Sequence, residues 1–445
     1  MTNTANALKA FEDGLATVSN NVTNADTRGY VEQTQTFSAQ PFDLLQGLTG
    51  GVEAGPVLSS RDQYAEQSVQ QQQSAVGYYT QKVTDLTPAE SSFSLSSTSG
   101  VAPAMDALFS SFSQLSVNPN GTVERQAVLN AAATVAQQFQ GAATGLSSQS
   151  ANLTQQTQGI IGSINQLAST IAQVNSEDRV DPSGTVNAGV DAQLYSSLEQ
   201  LSQYVNFTTL RQPDGTISVL LGGQTPLVEG DQAYDIQGDF SSPQTAILNS
   251  AGTDITSQIT GGQLAAVVDD KNSVIPGYLT SLNTLAQSFA DQVNGALDNG
   301  IDENGAAPTT DLFTYNPLAA ATTLAVNPLT TDQIAAALPG APGGNGNALA
   351  VAQLANATGV DGYTFDGYFG NIGGQVGSDV QSATNSETTT QNLLTQAQIL
   401  RQQVSGVSLD AEAESLMAFQ QSYEATSKMF TVLNELTETL MAVIT

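Results

Sequence analysis

The sequence predicts a mainly α fold with a small β module. Its N- and C-terminal helices pair as a coiled coil, a long helical-bundle rod stands between them, and a short β-rich or irregular insertion forms the outer part. Three observations lead there: heptad rows at both ends of the chain, a periodic segment of about 55 residues (Thr122 to Ser176), and one block of extended, turn-punctuated sequence near the middle.

In chain order, Leu8, Leu15 and Val22 fall seven apart with Phe11 and Val18 interleaved, which makes an amphipathic helix. It ends in the Asn/Asp-rich stretch Asn20 to Asp26, and Val31 to Phe37 alternates as an extended segment should. Gly47 to Gly55 reads as a loop or hairpin. Helical period returns from Asp62 to Leu86 and from Ala104 to Val117, stopping at Asn118-Pro119-Asn120-Gly121. Thr122 to Ser176 then carries Val128, Val135 and Phe139, and later Leu153, Ile160, Leu167 and Val174. Fully helical it would span roughly 80 Å, too long for a compact domain, so it packs lengthwise against other helices, with room for a break around Gly141 to Gly145. After a short helix at Ala192 to Tyr204, Val205 to Leu210 and Thr216 to Leu221 flank Gln212-Pro213-Asp214-Gly215 as a hairpin, with further β-like runs at Pro226-Leu227-Val228 and Thr245 to Leu248. Helical patterning resumes at Gly262. Residues 298–374 are rich in Gly, Pro, Ala and Asn, the least ordered-looking portion, with one helical piece at Thr331 to Leu338. The last stretch has rows Leu409, Leu416, Tyr423, Phe430 and Phe419, Leu433, Leu440, widened by Met429, Leu436 and Val443. The expected division is 1–35 and 406–445 as paired termini, 36–200 as helical rod, 201–260 as β module, 261–300 and 371–405 as helical returns, and 301–370 as a variable outer region.

Composition excludes most chemistry. The 445 residues hold no His, Cys or Trp, so zinc fingers, His-ligated haem, iron–sulfur clusters and Ser-His-Asp or Cys catalysis are ruled out. Ten Lys and Arg against 41 Asp and Glu give −31, which argues against nucleic acid and anionic membranes as partners. Only 11% of residues are charged, against roughly 25% in an average domain, so Ser, Thr, Asn and Gln must solubilise the chain. No Sec-type leader and no membrane span is expected.

No cofactor or metal site is expected either. Around Asp302, Asn304 and Gly305 a calcium loop is superficially suggested, but Gly300 stands where the first carboxylate belongs and Asp311 where a bidentate Glu is needed. Asp269-Asp270 and Glu412 with Glu414 read as solvated helix surface. Gly340 to Gly346 lacks the Lys of a phosphate loop, and Thr122 to Arg125 is an ordinary helix start. The terminal stripes are what remains. An ordinary intramolecular hairpin would use them; so would contacts with other subunits, favoured by the breadth of the C-terminal stripe and the marginal stability of an isolated N-terminal helix.

The residues then show a resemblance. Asn20-Asn21-Val22-Thr23-Asn24-Ala25-Asp26-Thr27-Arg28-Gly29-Tyr30 resembles the N-terminal signature of the flagellar axial proteins (rod, hook and hook-associated). Gly406 to Glu412 with Phe419 to Ala425 is similar to its C-terminal counterpart. Inside, Asn118-Pro119, Glu124 to Leu129, Asp191 to Leu194, Gly222 to Val228 and Gly261 to Ala266 resemble the hook-associated members. The resemblance covers about residues 1–320 and 370–445. It departs at Arg28, where Pro or Ala is usual, at Val31-Glu32, and in a short outer region.

The resemblance implies a structural, non-enzymatic subunit of the hook–filament junction. It would be exported unfolded through the flagellar type III apparatus, which agrees with the missing thiols and leader, and assemble as a ring at the distal end of the hook. The implied partners are further copies of itself, the hook protein, hook-associated protein 3 and an export chaperone. For assembly, Leu8, Phe11, Leu15, Val18 and Val22 are expected to meet Leu416, Phe419, Tyr423, Phe430, Leu433 and Leu440. Asn20, Asn21, Asn24, Gly29, Tyr30 and Leu409 belong to the same interface, and Met429, Leu436 and Val443 form the expected chaperone edge. A hook or distal-rod subunit shares the terminal signatures, and a secreted carboxylate-dependent hydrolase is the alternative from another class. The acidity is expected on outer surfaces.

Overall fold

The computed structural model describes residues 2–43, 48–93, 99–179 and 187–444, without the side chains of 43, 48, 49, 178, 179, 443 and 444. Helix α1 (Thr2–Asn24) leads into a hairpin of β1 (Gln33–Ala39) and β4 (Val52–Ser59) that encloses the short pair β2 (Phe42–Asp43) and β3 (Leu48–Thr49). Four helices follow: α2 (Gln63–Ser92), α3 (Val101–Val117), α4 (Thr122–Arg179) and α5 (Ala188–Tyr204). A four-stranded antiparallel meander comes next, with β5 (Phe207–Arg211), β6 (Ile217–Leu221), β7 (Thr225–Glu229) and β8 (Gln232–Ala233) in spatial order, and then the pair β9 (Gln237–Asp239) and β10 (Ala246–Leu248). Helix α6 (Gly262–Asp269) passes through one π-helical turn, Asp270–Val274, into α7 (Ile275–Asp298). The outer segment holds β11 (Phe313–Thr314), α8 (Ala320–Thr323), β12 (Ala325–Val326) and α9 (Gly346–Gln353). Two long helices close the chain, α10 (Phe365–Ser405) and α11 (Leu409–Ile444). The architecture is mainly α with a small β module.

Local signals set the boundaries. Asp62 caps α2 by accepting from the Ala65 amide at 2.9 Å, Asn187 caps α5, and Thr364 caps α10. Helix α4 runs unbroken for 58 residues, roughly 87 Å. Gly141 and Gly145 do not interrupt it, because Phe139, Ala143 and Leu146 around them are fully buried, and packing of that kind outweighs the ~1 kcal/mol helix penalty of a glycine.

One continuous apolar core runs from Leu86 to Val376, gathered along α2, α3, α4, α7 and the first half of α10. Phe289 on α7 lies at its centre. Its ring meets Phe365 at 5.2 Å, Phe109 at 5.6 Å, Phe313 at 5.7 Å and Phe139 at 6.2 Å, mostly edge-on or tilted. Four other elements therefore converge on this one side chain of α7. Phe289→Ala is expected to cost about 3–5 kcal/mol, read as a lowered urea midpoint; a loss under about 1 kcal/mol, the range of volume-conserving swaps, would contradict this keystone role.

With so few charges, amides do the polar work of the interior. Five asparagines on helices or the π turn each grip one extended residue by both its backbone N–H and its C=O: Asn165 holds Ile236, Asn175 holds Ile217, Asn272 holds Thr245, Asn294 holds Phe313 and Asn21 holds Gln33, all at 2.7–3.0 Å. Each clamp satisfies a strand's backbone where no neighbouring strand does.

The outer segment departs from the expectation of loose sequence. Leu312, Phe313, Ala320, Ala321, Leu324, Ile334, Ala335 and Ala336 are buried in the common core. Arg125, its side chain only 2% exposed, reaches from the start of α4 to the carbonyls of Thr331 and Ile334. The helical piece expected at Thr331 to Leu338 is a single 3-10 turn, Thr331–Gln333, after which Ala337 bridges to Ile301. Instead of continuing a helix, Ala335 and Ala336 give their carbonyls to the Asn347 side chain and to the Asn347 and Ala348 amides at the start of α9.

Candidate assembly site at the paired termini

Helices α1 and α11 pack together outside the common core. Gly14 lies against Phe419 and Asn21 against Glu412, so the two run antiparallel. The hairpin covers another side of α1, with Phe37 and Phe419 rings 5.7 Å apart. A Cβ on Gly14 would stand 3.1 Å from the Phe419 ring and 3.3 Å from that of Phe37, so a hydrogen at this position permits the close approach on both sides.

The buried face of α1 is Thr4, Ala10, Gly14, Val18 and Asn21. Of the expected stripe only Val18 is fully buried; Leu8, Phe11 and Leu15 are half-buried on its shoulders, and Val22 is 46% exposed. The face is rotated because small residues let α11 and the hairpin approach closely, and the large ones then flank the contact. On α11, Leu416, Phe419, Phe430 and Leu433 are half-buried on the side that carries the Phe419 contact. Leu409, Tyr423 and Leu440 are exposed, as are Met429 and Leu436. The side chain of Val443 lies outside the described residues. Continuing the register set by Gly14–Phe419 and Asn21–Glu412, α1 runs out near residue 431 of α11, so Val432, Leu436, Leu440 and Met441 stand on an overhang of about three turns, roughly 20 Å, each more than half exposed.

Asn21, 1% exposed, organises the base of this pair. Its Nδ2 donates to Gln33 O and to Glu412 Oε1 at 2.7 Å, while its Oδ1 accepts from the Gln33 amide and from the Tyr30 hydroxyl at 2.8 Å. All four of its hydrogen-bonding positions are filled. Burial raises the Glu412 carboxyl above its ordinary value, with Glu32 adding to the effect and Asn21 opposing it. Burial and Glu412 together push Tyr30 up to about 12. Glu412 is therefore interior, not solvated helix surface as expected, while Glu414 is exposed. Asn24 is held by Asn20, and Thr27 Oγ1 donates to Asn24 Oδ1 at 3.2 Å. Gly29 takes φ +79°, and a Cβ there would sit 2.3 Å from Ala192 O on α5. Only glycine fits both constraints.

An ion lattice that the sequence expectations did not include sits at the joint between the termini and the rod. Arg61, in the crossing from β4 to α2, donates to Asp191 Oδ2 from Nε and Nη2 at 2.9 and 2.7 Å, to Gly29 O at 2.7 Å, and to Glu66, while stacking 3.8 Å over the Tyr195 ring. Arg401 from α10 reaches Glu66 at 3.1 Å and Glu199 at 2.8 Å, and Arg28 pairs with Glu199 at 3.1 Å. Burial works against the Glu199 carboxylate, but Arg401 and Arg28 outweigh it and hold it below the usual range. Three of the chain's ten basic residues and three acids thus meet at one joint. Backbone bonds reinforce it: the Glu32 amide donates to Ser405 O, Ser60 N to Glu32 O, and Asp62 N to Ser405 Oγ. Arg28, which departs from the usual signature, is a working member of the lattice.

Among the described residues no group of three or more acids is placed to hold a metal, and no helix is long and apolar enough to cross a membrane. What the site offers is shape, an apolar overhang and a rigid base. Residues 86–313, just over half of the chain, match the helical domain of the flagellar hook-associated protein FlgK. The chain belongs to the FlgK family. Residues 401–443 also match the C-terminal region shared by the flagellar basal-body rod proteins FlgEFG. Flagellar hook-associated protein 1 of Bacillus subtilis (strain 168) is 27% identical over 97% of this chain and 95% of its own length. The Escherichia coli (strain K12) protein of that name is 25% identical over 68% of this chain, and the match spans 58% of its length. The solved FlgK from Burkholderia pseudomallei shares the fold, with a TM-score of 0.69 over 77% of this chain and all of that one at 15% identity. Membership of FlgK makes this a structural, non-enzymatic protein of the flagellum, which removes the hydrolase alternative and, through the helical domain, the hook and distal-rod readings.

Proposed function

We propose that the chain forms the hook–filament junction ring at the distal end of the hook, joining subunit to subunit through its terminal helices. The observation that carries this reading is the half-used apolar surface of α11: one side packs on α1, while Met429, Val432, Leu436, Leu440 and Met441 have more than half their area in solvent. A lone helix end of that character gains most by being covered. The terminal unit, residues 1–35 with 406–445, then serves as the assembly core, and the helical and β portions stand outside it. The hook protein below and hook-associated protein 3 above are the partners that such a ring would touch. Before assembly, an export chaperone would cover the Met429, Leu436 and Val443 edge, and the type III apparatus would carry the chain out unfolded, a route that a chain without thiols suits.

A strain lacking this protein is the test. It should build hooks, bear no filaments, and lose filament subunits to the medium. Full-length filaments in that strain would sink the proposal.

A further inference from the structure

The helical core contains a second polar cluster, away from the termini, that the assembly reading does not use. Asp85 on α2 and Asp270 in the π turn are both 0% exposed. The wide turn places Asp270 and Ile275 on the same inward side, five residues apart. The sequence reading of Asp269-Asp270 as solvated surface therefore holds only for Asp269. Asp85 Oδ1 accepts from Gln81 at 2.8 Å and Asp270 Oδ1 from Lys82 at 2.8 Å, and Lys82 also serves Asp269 at 2.7 Å. The other oxygens, Asp85 Oδ2 and Asp270 Oδ2, have no hydrogen-bond partner among the described residues.

Charges around the pair come from every neighbouring element. From α2 they face Tyr78 and Lys82, and from the approach to the π turn Asp269, while Lys271 in the turn is directed to Ser150 of α4 instead. From α7 comes Tyr278, whose hydroxyl donates to Asp379 of α10 at 2.6 Å; farther along α10, Glu387 accepts from Thr80. Helix α4 contributes amides and a hydroxyl: Gln149, Gln156, and Ser150, which accepts from Lys271. One ammonium thus stands among three adjacent carboxyls, two of them fully buried. Two buried carboxylates cannot both stay ionised beside a single cation without a heavy penalty. Burial, with Asp270 adding, pushes Asp85 up to about 7, and burial pushes Asp270 up to about 6 against the pull of Lys82.

We propose that Asp85 and Asp270 form a proton-binding site in the folded rod, holding one proton between them that the unfolded chain releases to solvent at neutral pH. The proton resides as O–H on one of the two buried carboxyls, which removes the charge from a carboxyl whose second oxygen has no donor. The two carboxyls titrate as a pair. The sign follows from linkage: the folded pair binds its proton more tightly than the unfolded chain does, so its favourable contribution is full below the ordinary carboxyl value of 3.8, declines as pH rises above it, and is gone once pH has passed about 6 and 7.

The test is urea unfolding of the full chain from about pH 5 to about pH 8, with infrared spectroscopy of the folded protein at neutral pH. The folded-to-unfolded ratio should fall at least about tenfold across that range. Asp85→Asn should flatten the slope and raise the midpoint at the alkaline end, and Asp270→Asn should flatten it too. Glu229→Gln, an exposed control, should keep the parent slope. The parent should show the C=O stretch of a protonated carboxyl, absent from Asp85→Asn. A parent with no slope or no such band, or an Asp85→Asn variant with the parent's slope, overturns the proposal. If Asp85→Asn does not fold, the parent band and the Asp270→Asn slope decide it alone.

Discussion

Replacing Leu436 and Leu440 together with Asp is expected to yield a chain that folds as the parent does but leaves cells without filaments. Both side chains are more than half exposed on the overhang of α11, and exposed substitutions commonly shift stability by no more than about 0.5 kcal/mol. The urea midpoint should therefore hold and the protein should still reach the medium. What changes is the neighbour: a carboxylate carried into an apolar subunit contact, desolvated and without a partner, costs several kcal/mol at each copy. The proposed ring would repeat that cost at every interface, so the expected defect is close to total. Normal filaments in the double mutant would show that the overhang makes no essential contact. Leu433→Asp is a less clean probe, because Leu433 is half-buried beside the α1 end and its loss would disturb the monomer as well.

Removing the Arg61 guanidinium should be the most damaging single change at the joint. Arg61→Ala strands Asp191, leaves Glu66 with Arg401 as its one remaining cation among the described residues, their side chains being 9% and 4% exposed for Asp191 and Glu66, and frees the Gly29 carbonyl. Breaking one partner out of a buried pair costs about 3–5 kcal/mol, to be read from urea unfolding and from faster amide exchange in residues 25–32. Arg61→Lys should recover only part of this, since an ammonium cannot reproduce the fork that spans Asp191 and Gly29. A loss below about 1 kcal/mol, the range of an exposed pair, would mean that the lattice is ornamental. Its pH response opposes that of Asp85 and Asp270. Glu199 is held below its ordinary value, so its share is present above the unfolded carboxylate range and fades as pH falls.

Much of this was legible in the sequence because it is periodic. Heptad rows located α1 and α11, the long Gln-rich run located α4, and the Pro-Asp-Gly turn located the β5–β6 hairpin. Which face of α1 is buried was not legible, since a heptad reading ranks positions by side-chain size while Ala10 and Gly14 are buried for being small. The hairpin itself was legible, in the extended Val31 to Phe37 and the loop or hairpin at Gly47 to Gly55, but nothing local announced that it packs on α1. Buried charges were missed for a related reason: in a chain with 41 acids, Glu66, Asp191, Glu199 and Asp270 look like any others. The scarcity of Lys and Arg was the usable signal, because each of only ten cations among so many acids is a point where acids can converge. Asparagines set within periodic apolar segments, such as Asn165, Asn175 and Asn294, were the corresponding signal for the strand clamps. The outer segment was misjudged on composition alone, when Phe313 and Ile334 are enough to anchor it.

The joint at Arg61 also has a mechanical meaning. A domain hung on one strand swivels about a few backbone bonds, but here the chain crosses twice, at 60–62 and 406–408, and a third segment, 25–32, is seated on α5. Cross-links between Glu32, Ser60, Asp62 and Ser405 tie these segments side by side. Twist applied to the terminal helices is therefore carried into the rod as torque, with little lost to free rotation between them.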